Sequence, residues 1–360
     1  MAIPLLSPGV NAVRAVAGEM FKITRTSGNR GHRQSEIDLV KALAIVTVVL
    51  VHCINDRPFY SGDRLQAFLS DWTRFAVPWF LFAAGFLFPK DDSSGWRLLG
   101  KLAARIVPPY MVCSLLCIAL SVFSGQESYG AWRVLKELLL GQACGIYYFV
   151  FVISYLYLLG LVLRRAPPHI VYAACGLAFG ALLAIYATWP ALIYPRASLN
   201  VALRHPFIHA FPFLAGWVAA LHQFKLRELL RQLRARDVFL LAAMDLATLG
   251  ALQWWPSGDM HRELLIQAHV YVFLILVLHL GLRINRPWEG IRYLSEASYG
   301  IYLVHMGFVV VMHKLFRQLG VYDFDVRIFV SCGLAFGLTV VLITAIRCCT
   351  GSRSKLLVGA

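Results

Sequence analysis

The stretch EIDLVKALAIVTVVLVHCIN, Glu36–Asn55, has the length and apolar content of a membrane span, yet it carries Lys41 near its start and His52 near its end. An α-helix needs about 20 mostly apolar residues to cross the hydrocarbon core. An ionisable group inside such a helix costs roughly 2.5–3.5 kcal/mol on insertion scales and defaults to a functional candidate. Lys41 and His52 lie eleven residues apart. That is about three helical turns, so both project from one face, with a rise of about 16 Å, roughly half the hydrocarbon thickness. Asp38 stands three residues before Lys41, placed to pair with it. Each residue alone also has a plainer reading. Lys41 can snorkel to the headgroups, and His52 can mark the far interface.

The rest of the chain extends this pattern. Of its 360 residues, 59% are apolar and 15% charged, with a mean hydropathy of +0.65. Soluble domains sit nearer half apolar and a quarter charged. The apolar excess falls into long continuous blocks such as Ile146–Leu163 and Leu264–Leu282. A β-barrel would instead show short alternating strands. The fold expected is all-α and polytopic, with about ten transmembrane helices near 37–54, 72–88, 105–123, 146–163, 170–188, 207–222, 237–254, 264–282, 296–315 and 326–346. With the N-terminus inside, the inner side receives roughly twice as many Lys and Arg as the other, which places both termini in the cytoplasm. Residues 1–34 read as a flexible basic tail, 35–347 as one transmembrane domain, and 348–360 as a basic C-terminal tail.

The formal charge of +15 follows from this topology and calls for no nucleic-acid partner. Cys113, Cys117, Cys175 and Cys332 lie inside apolar runs as small hydrophobes, so no disulfide framework is expected. The histidines are scattered without ligand spacing, so no metal is expected either. KLRELLRQLRAR, Lys225–Arg236, spaces Leu226, Leu229, Leu230 and Leu233 at helical intervals against an arginine-rich face, the pattern of an interfacial helix.

Other polar residues fall inside or beside the spans. Lys101 and Arg105 precede IVPPYMV at the start of the third span. With Lys41 they can form a basic pocket for phosphates, though inside-positive topology alone also puts basic residues there. Pro108 and Pro109 break the helical hydrogen-bond ladder, which is tolerated only where protein or water takes over the freed carbonyls. Arg74 lies at the outer end of the second span, level with His52. Tyr148 belongs to a tyrosine-rich fourth span that suits either an aromatic belt or a polar-tipped pocket wall. Tyr302 and His305 share a face at i,i+3, with Tyr299 one turn earlier. A lone His305 is also what a hydrogen-bonded core histidine looks like.

Taken in order, six of these stretches resemble the acyltransferase-3 family of integral membrane acyltransferases. EIDLVKALAIVTVVLVH is similar to the family's opening motif, a basic residue, ten residues and a histidine. FAVPWFLFAAGFLF resembles its proline, aromatic and SGF segment, and KLAARIVPPY its basic approach to the third span, ending at Tyr110. IYYFVFVISYLYLL stands where its WF-containing span lies. FPFLAGWVAAL resembles its FxxG segment, and SYGIYLVH its S-Y-x-I-Y-L-x-H signature. Three positions depart from the pattern: Lys41 replaces the usual arginine, Ala84 the SGF serine, and Tyr148 or a neighbour the tryptophan.

The resemblance implies transfer of an acyl group, in the first instance acetyl, from cytoplasmic acyl-CoA to a hydroxyl of an envelope carbohydrate. The absence of an extra soluble domain points to a short form. Such forms act on exopolysaccharides or their lipid-linked units at the bacterial inner membrane, alongside other polysaccharide-biosynthesis proteins. Succinyl is an alternative donor group. Catalytic positions implied are His52, Lys41, Asp38, His305 and Tyr302. Lys41, Lys101, Arg105 and Tyr110 are implied for acyl-CoA, and Arg74, Tyr148 and Tyr299 for the acceptor. His52 can serve as general base or carry the acyl group covalently. A polysaccharide exporter without chemistry is the competing reading.

Overall fold

A computed structural model describes residues 34–54, 64–89, 94–123, 130–192, 205–255, 259–284, 288–321 and 324–360. The N-terminal tail up to residue 33 lies outside the described residues. Among the described residues the chain is helical throughout, without a strand. The helices are α1 (Ser35–Ile54), α2 (Arg64–Trp72), α3 (Ala76–Phe86), α4 (Gly95–Phe123), α5 (Ala131–Leu140), α6 (Tyr148–Leu163), α7 (Pro168–Leu192) and α8 (Pro206–Leu221). They continue as α9 (Gln223–Gln232), α10 (Ala235–Ala251), α11 (Met260–Arg283), α12 (Glu289–Gln318), α13 (Phe324–Thr350) and α14 (Ser354–Leu357).

Every stretch read as a span is helical, but they differ in length. Among the described residues, seven helices are long and apolar enough to cross a membrane: α1, α4, α6, α7, α11, α12 and α13. The second expected span is broken by a 3₁₀ turn at Thr73–Phe75, which leaves α3 only 11 residues. The seventh, α10, has 17 residues and a buried Asp245. The sixth, α8, reaches span length only together with α9, across a bend of 88°. That bend turns the amphipathic KLRELL segment flat against the bundle. Leu230 is buried, His279 Nδ1 lies 2.7 Å from the Leu230 carbonyl, and the Arg227 guanidinium meets Glu36 at 2.6 Å.

Sequence decides which helix sits in the middle. The helix α1 mixes small and β-branched residues around its whole circumference, and 67% of its apolar window is buried, against 17% for α7. It packs on α3, α11, α12 and α13. An apolar surface of this kind faces protein when matched by other helices and lipid when not.

The helices α3 and α8 cross in backbone contact. A Cβ on Gly85 would stand 1.8 Å from the Phe213 carbonyl oxygen, and one on Gly216 would stand 2.0 Å from the Phe82 carbonyl oxygen. Each helix therefore lays a carbonyl on the other's glycine, in the small-residue manner of membrane helix pairs. Phe82–Gly85 and Phe213–Gly216 have the same F-x-x-G spacing. Two segments noted separately in the sequence are the two halves of one contact.

Residues 348–360, read as a basic tail, are folded. The helix α13 runs on to Thr350, and the chain then turns back through α14 so that Val358 and Ala360 are buried. Gly359, at φ +71°, presses on the Tyr299 ring, where a Cβ would come within 2.4 Å of Cδ1.

Candidate active site

A cavity of about 510 Å³ opens between α1, α3, α4, α6 and α12. From α1 it takes Lys41, Val48, Val51 and His52, spaced as one helical face, so the lysine and histidine do look into a common space. Arg74, Arg105, Tyr148, Tyr299 and Tyr302 line the same cavity. Seven of the eleven residues singled out in the sequence thus share one wall. The other four, Asp38, Lys101, Tyr110 and His305, stand off it.

At one end, Lys41 Nζ donates to the Ser295 carbonyl at 2.7 Å, and Ser295 Oγ donates to Asp38 Oδ1 at 2.6 Å. Lysine and aspartate from α1 are thereby fixed on the same residue of α12. Arg105 and Tyr299 complete this end, where the Tyr299 hydroxyl donates to the Ile106 carbonyl at 2.9 Å, beside Pro108 and Pro109. The prolines leave α4 continuous from Gly95 to Phe123.

At the other end, the His52 and His305 rings lie with centroids 5.4 Å apart and an interplanar angle of 38°. His305 is fully buried, and its Nδ1 sits 2.8 Å from the Tyr302 carbonyl and 3.0 Å from that of Ile301. Both contacts are acceptors, so Nδ1 carries the proton and Nε2 keeps a lone pair. That Nε2 is buried and makes no hydrogen bond. The Tyr302 hydroxyl donates to the Ile146 carbonyl, and the Tyr147 hydroxyl to the Leu303 carbonyl at 2.8 Å. These two bonds pin the start of α6 to the middle of α12. Beyond His52, Ser70, Thr73 and Arg74 form the rim.

Lys101 is exposed on the outward side of α4, and Tyr110 faces away from the cavity to donate to the Leu138 carbonyl at 2.6 Å. Sequence reasoning missed Glu263, which meets Arg74 at 3.0 Å, as well as Ser295 and Ser298. An acid immediately before the eighth span was the available signal for Glu263. Ser298 opens the SYGIYLVH stretch, but nothing local marked Ser295, whose importance comes from what packs opposite it.

The middle of the cavity is apolar, walled by Val48, Val77, Phe80, Phe149 and Ile153. The arrangement is a space with cationic groups at one end, His52 at the other with His305 behind it, and an apolar passage between. It can hold an anionic head at the Lys41 end, a neutral chain along its length, and a reacting carbonyl beside His52.

No curated protein and no solved structure matches the chain. A family model described as an acyltransferase domain matches residues 34–346, which takes in α1 through most of α13 and every residue of the cavity wall. The chain belongs to this acyltransferase family of multi-pass membrane proteins.

Proposed function

We propose that the protein transfers an acyl group, acetyl in the first instance, from cytoplasmic acyl-CoA to a hydroxyl of an exopolysaccharide or its lipid-linked repeat unit. In this reading the chain crosses the bacterial inner membrane about ten times, with both termini and the Lys41 end of the cavity on the cytoplasmic side. Lys41 and Arg105 receive the nucleotide phosphates, Arg105 offering the planar fork that suits phosphate oxygens. The pantetheine arm lies along the apolar passage and brings the thioester to His52.

His52 then acts as general base. It takes the proton of the acceptor hydroxyl as that oxygen attacks the thioester carbonyl. The C–S bond breaks, the acyl oxygen ester forms, and His52 returns the proton to the departing thiolate. A histidine suits both halves of this exchange because its proton affinity lies near working pH. His305 has a fixed tautomer and packs its ring against that of His52 at 5.4 Å, which orients the His52 ring.

The observation that carries the reading is that Lys41 and His52 open onto one cavity with an apolar passage between them. The test is His52→Ala in cells carrying the full chain, with acyl esters on surface polysaccharide measured by NMR. The variant is expected to fold, to leave polymer export intact and to abolish the esters. Unchanged ester content sinks the proposal. Lost export with normal decoration of the residual polymer favours an exporter.

A further inference from the structure

The two ends of the cavity differ in charge. The Lys41 end presents Lys41 and Arg105 on its wall, with the single carboxylate of Asp38 behind Ser295. At the His52 end the wall cation is Arg74, and Glu263 meets it at 3.0 Å with side-chain exposures of 42% and 11%. The nearby Arg262 is likewise neutralised, held by both oxygens of a buried Asp71 at 2.7 Å. Among the described residues, the Lys41 end therefore has two wall cations for an anionic ligand, while the wall cation at the His52 end is paired with a carboxylate.

Around Arg74 the groups are of the hydrogen-bonding kind. Gln267, one turn along α11 from Glu263, donates to the Tyr186 hydroxyl of α7 at 3.4 Å. Tyr148 lines the cavity from α6. Polar side chains from separate helices, gathered inside a membrane domain, are costly unless they serve a ligand or one another. A guanidinium paired to a carboxylate offers donors and acceptors side by side. This matches adjacent hydroxyls of a polyol and repels a second carboxylate.

We infer that Arg74 and Tyr148, on the cavity wall, form the acceptor subsite with Glu263 standing behind Arg74, and that it takes an uncharged, hydroxyl-rich sugar unit in preference to an anionic one. The inference rests on the acyl-transfer reading above and names the substrate class of the same cavity. An incoming uronate must compete with Glu263 for Arg74 and approach a carboxylate already in place. A neutral ring meets no such penalty, lies against Tyr148 and presents a hydroxyl to His52.

The test maps acyl esters on the surface polysaccharide by NMR in cells carrying wild type, His52→Ala, Glu263→Gln or Glu263→Asp, at matched protein levels in the membrane. Gln keeps the shape of Glu263 and loses its charge, while Asp keeps the charge and loses length. The esters lost with His52→Ala are expected on sugar units without carboxylate, phosphate or sulfate. Glu263→Gln is expected to lower them at least tenfold, and Glu263→Asp to retain several times more than Gln. His52-dependent esters on anionic units overturn the inference, and so does an Asp variant no better than Gln. Esters that survive His52→Ala overturn the acyl-transfer reading instead, which is a separate result.

Discussion

Replacing Gly85 with alanine tests how the back of the cavity is built. The added Cβ would stand 1.8 Å from the Phe213 carbonyl oxygen, where carbon–oxygen contacts normally begin at about 3.3 Å. Neither atom can rotate away, because the neighbour is backbone, so α3 and α8 must part by about 1.5 Å. Overpacking usually costs about 1–3 kcal/mol, and a backbone-on-backbone clash belongs at the top of that range. Gly216→Ala meets the mirror contact at 2.0 Å and is expected to cost about the same. One separation of the two helices relieves both clashes. The double variant is therefore expected to lose well under the sum of the two, a departure from additivity of about 1 kcal/mol or more. Thermal unfolding of the detergent-purified full chain reads this. Gly176→Ala on α7, where a Cβ meets nothing within 4 Å, serves as the control and is expected to be neutral or slightly stabilising. A Gly85→Ala protein that melts with the wild type, or a double variant with strictly additive loss, refutes the packing argument.

Two other substitutions probe the ends of the cavity. Lys41→Met is expected to raise KM for acyl-CoA at least tenfold while kcat changes much less, measured by thiol release over a donor titration; an equal fall in kcat at unchanged KM contradicts a role in donor binding. Asp71→Asn takes the carboxylate from the largely enclosed Arg262, which keeps its bonds to the Trp255 and Leu252 carbonyls, and is expected to cost about 1–3 kcal/mol of stability, whereas Asp71→Leu with Arg262→Met recovers most of it. A single variant that melts like wild type counts against a buried pair.

Much of the fold is legible in the sequence because the bilayer reduces the problem to length and apolarity. Each of the ten stretches is helical, and α1 could be recognised as unusual from Lys41 and His52 alone. The helical period then put these two on one face, as the cavity wall has them. Helix interruptions were harder to see. The turn between α8 and α9 follows the change from the apolar 207–222 stretch to the amphipathic segment after it, whereas the break at Thr73–Phe75 falls inside the 72–88 stretch read as one span. Arg74 was visible, but its partner Glu263 lies 189 residues away. No local rule joins them. The folding of residues 351–360 onto Tyr299 was hidden for the same reason, since small and basic residues beyond a last span resemble a tail until the Gly300 surface that receives them is known.

The anchoring of α1 at Ser295 bears on biogenesis. Asp38 and Lys41 enter the membrane with the first helix, while the hydroxyl and carbonyl that satisfy them are 257 and 254 residues further along the chain. Until α12 is inserted, these two contacts of α1 are not yet made, and a charged group drawn to mid-membrane costs roughly 2.5–3.5 kcal/mol. The nascent α1 must therefore wait near the headgroups or beside the insertion machinery. The His52–His305 pair closes in the same late step, so the reactive end of the cavity comes into being only as the bundle is completed.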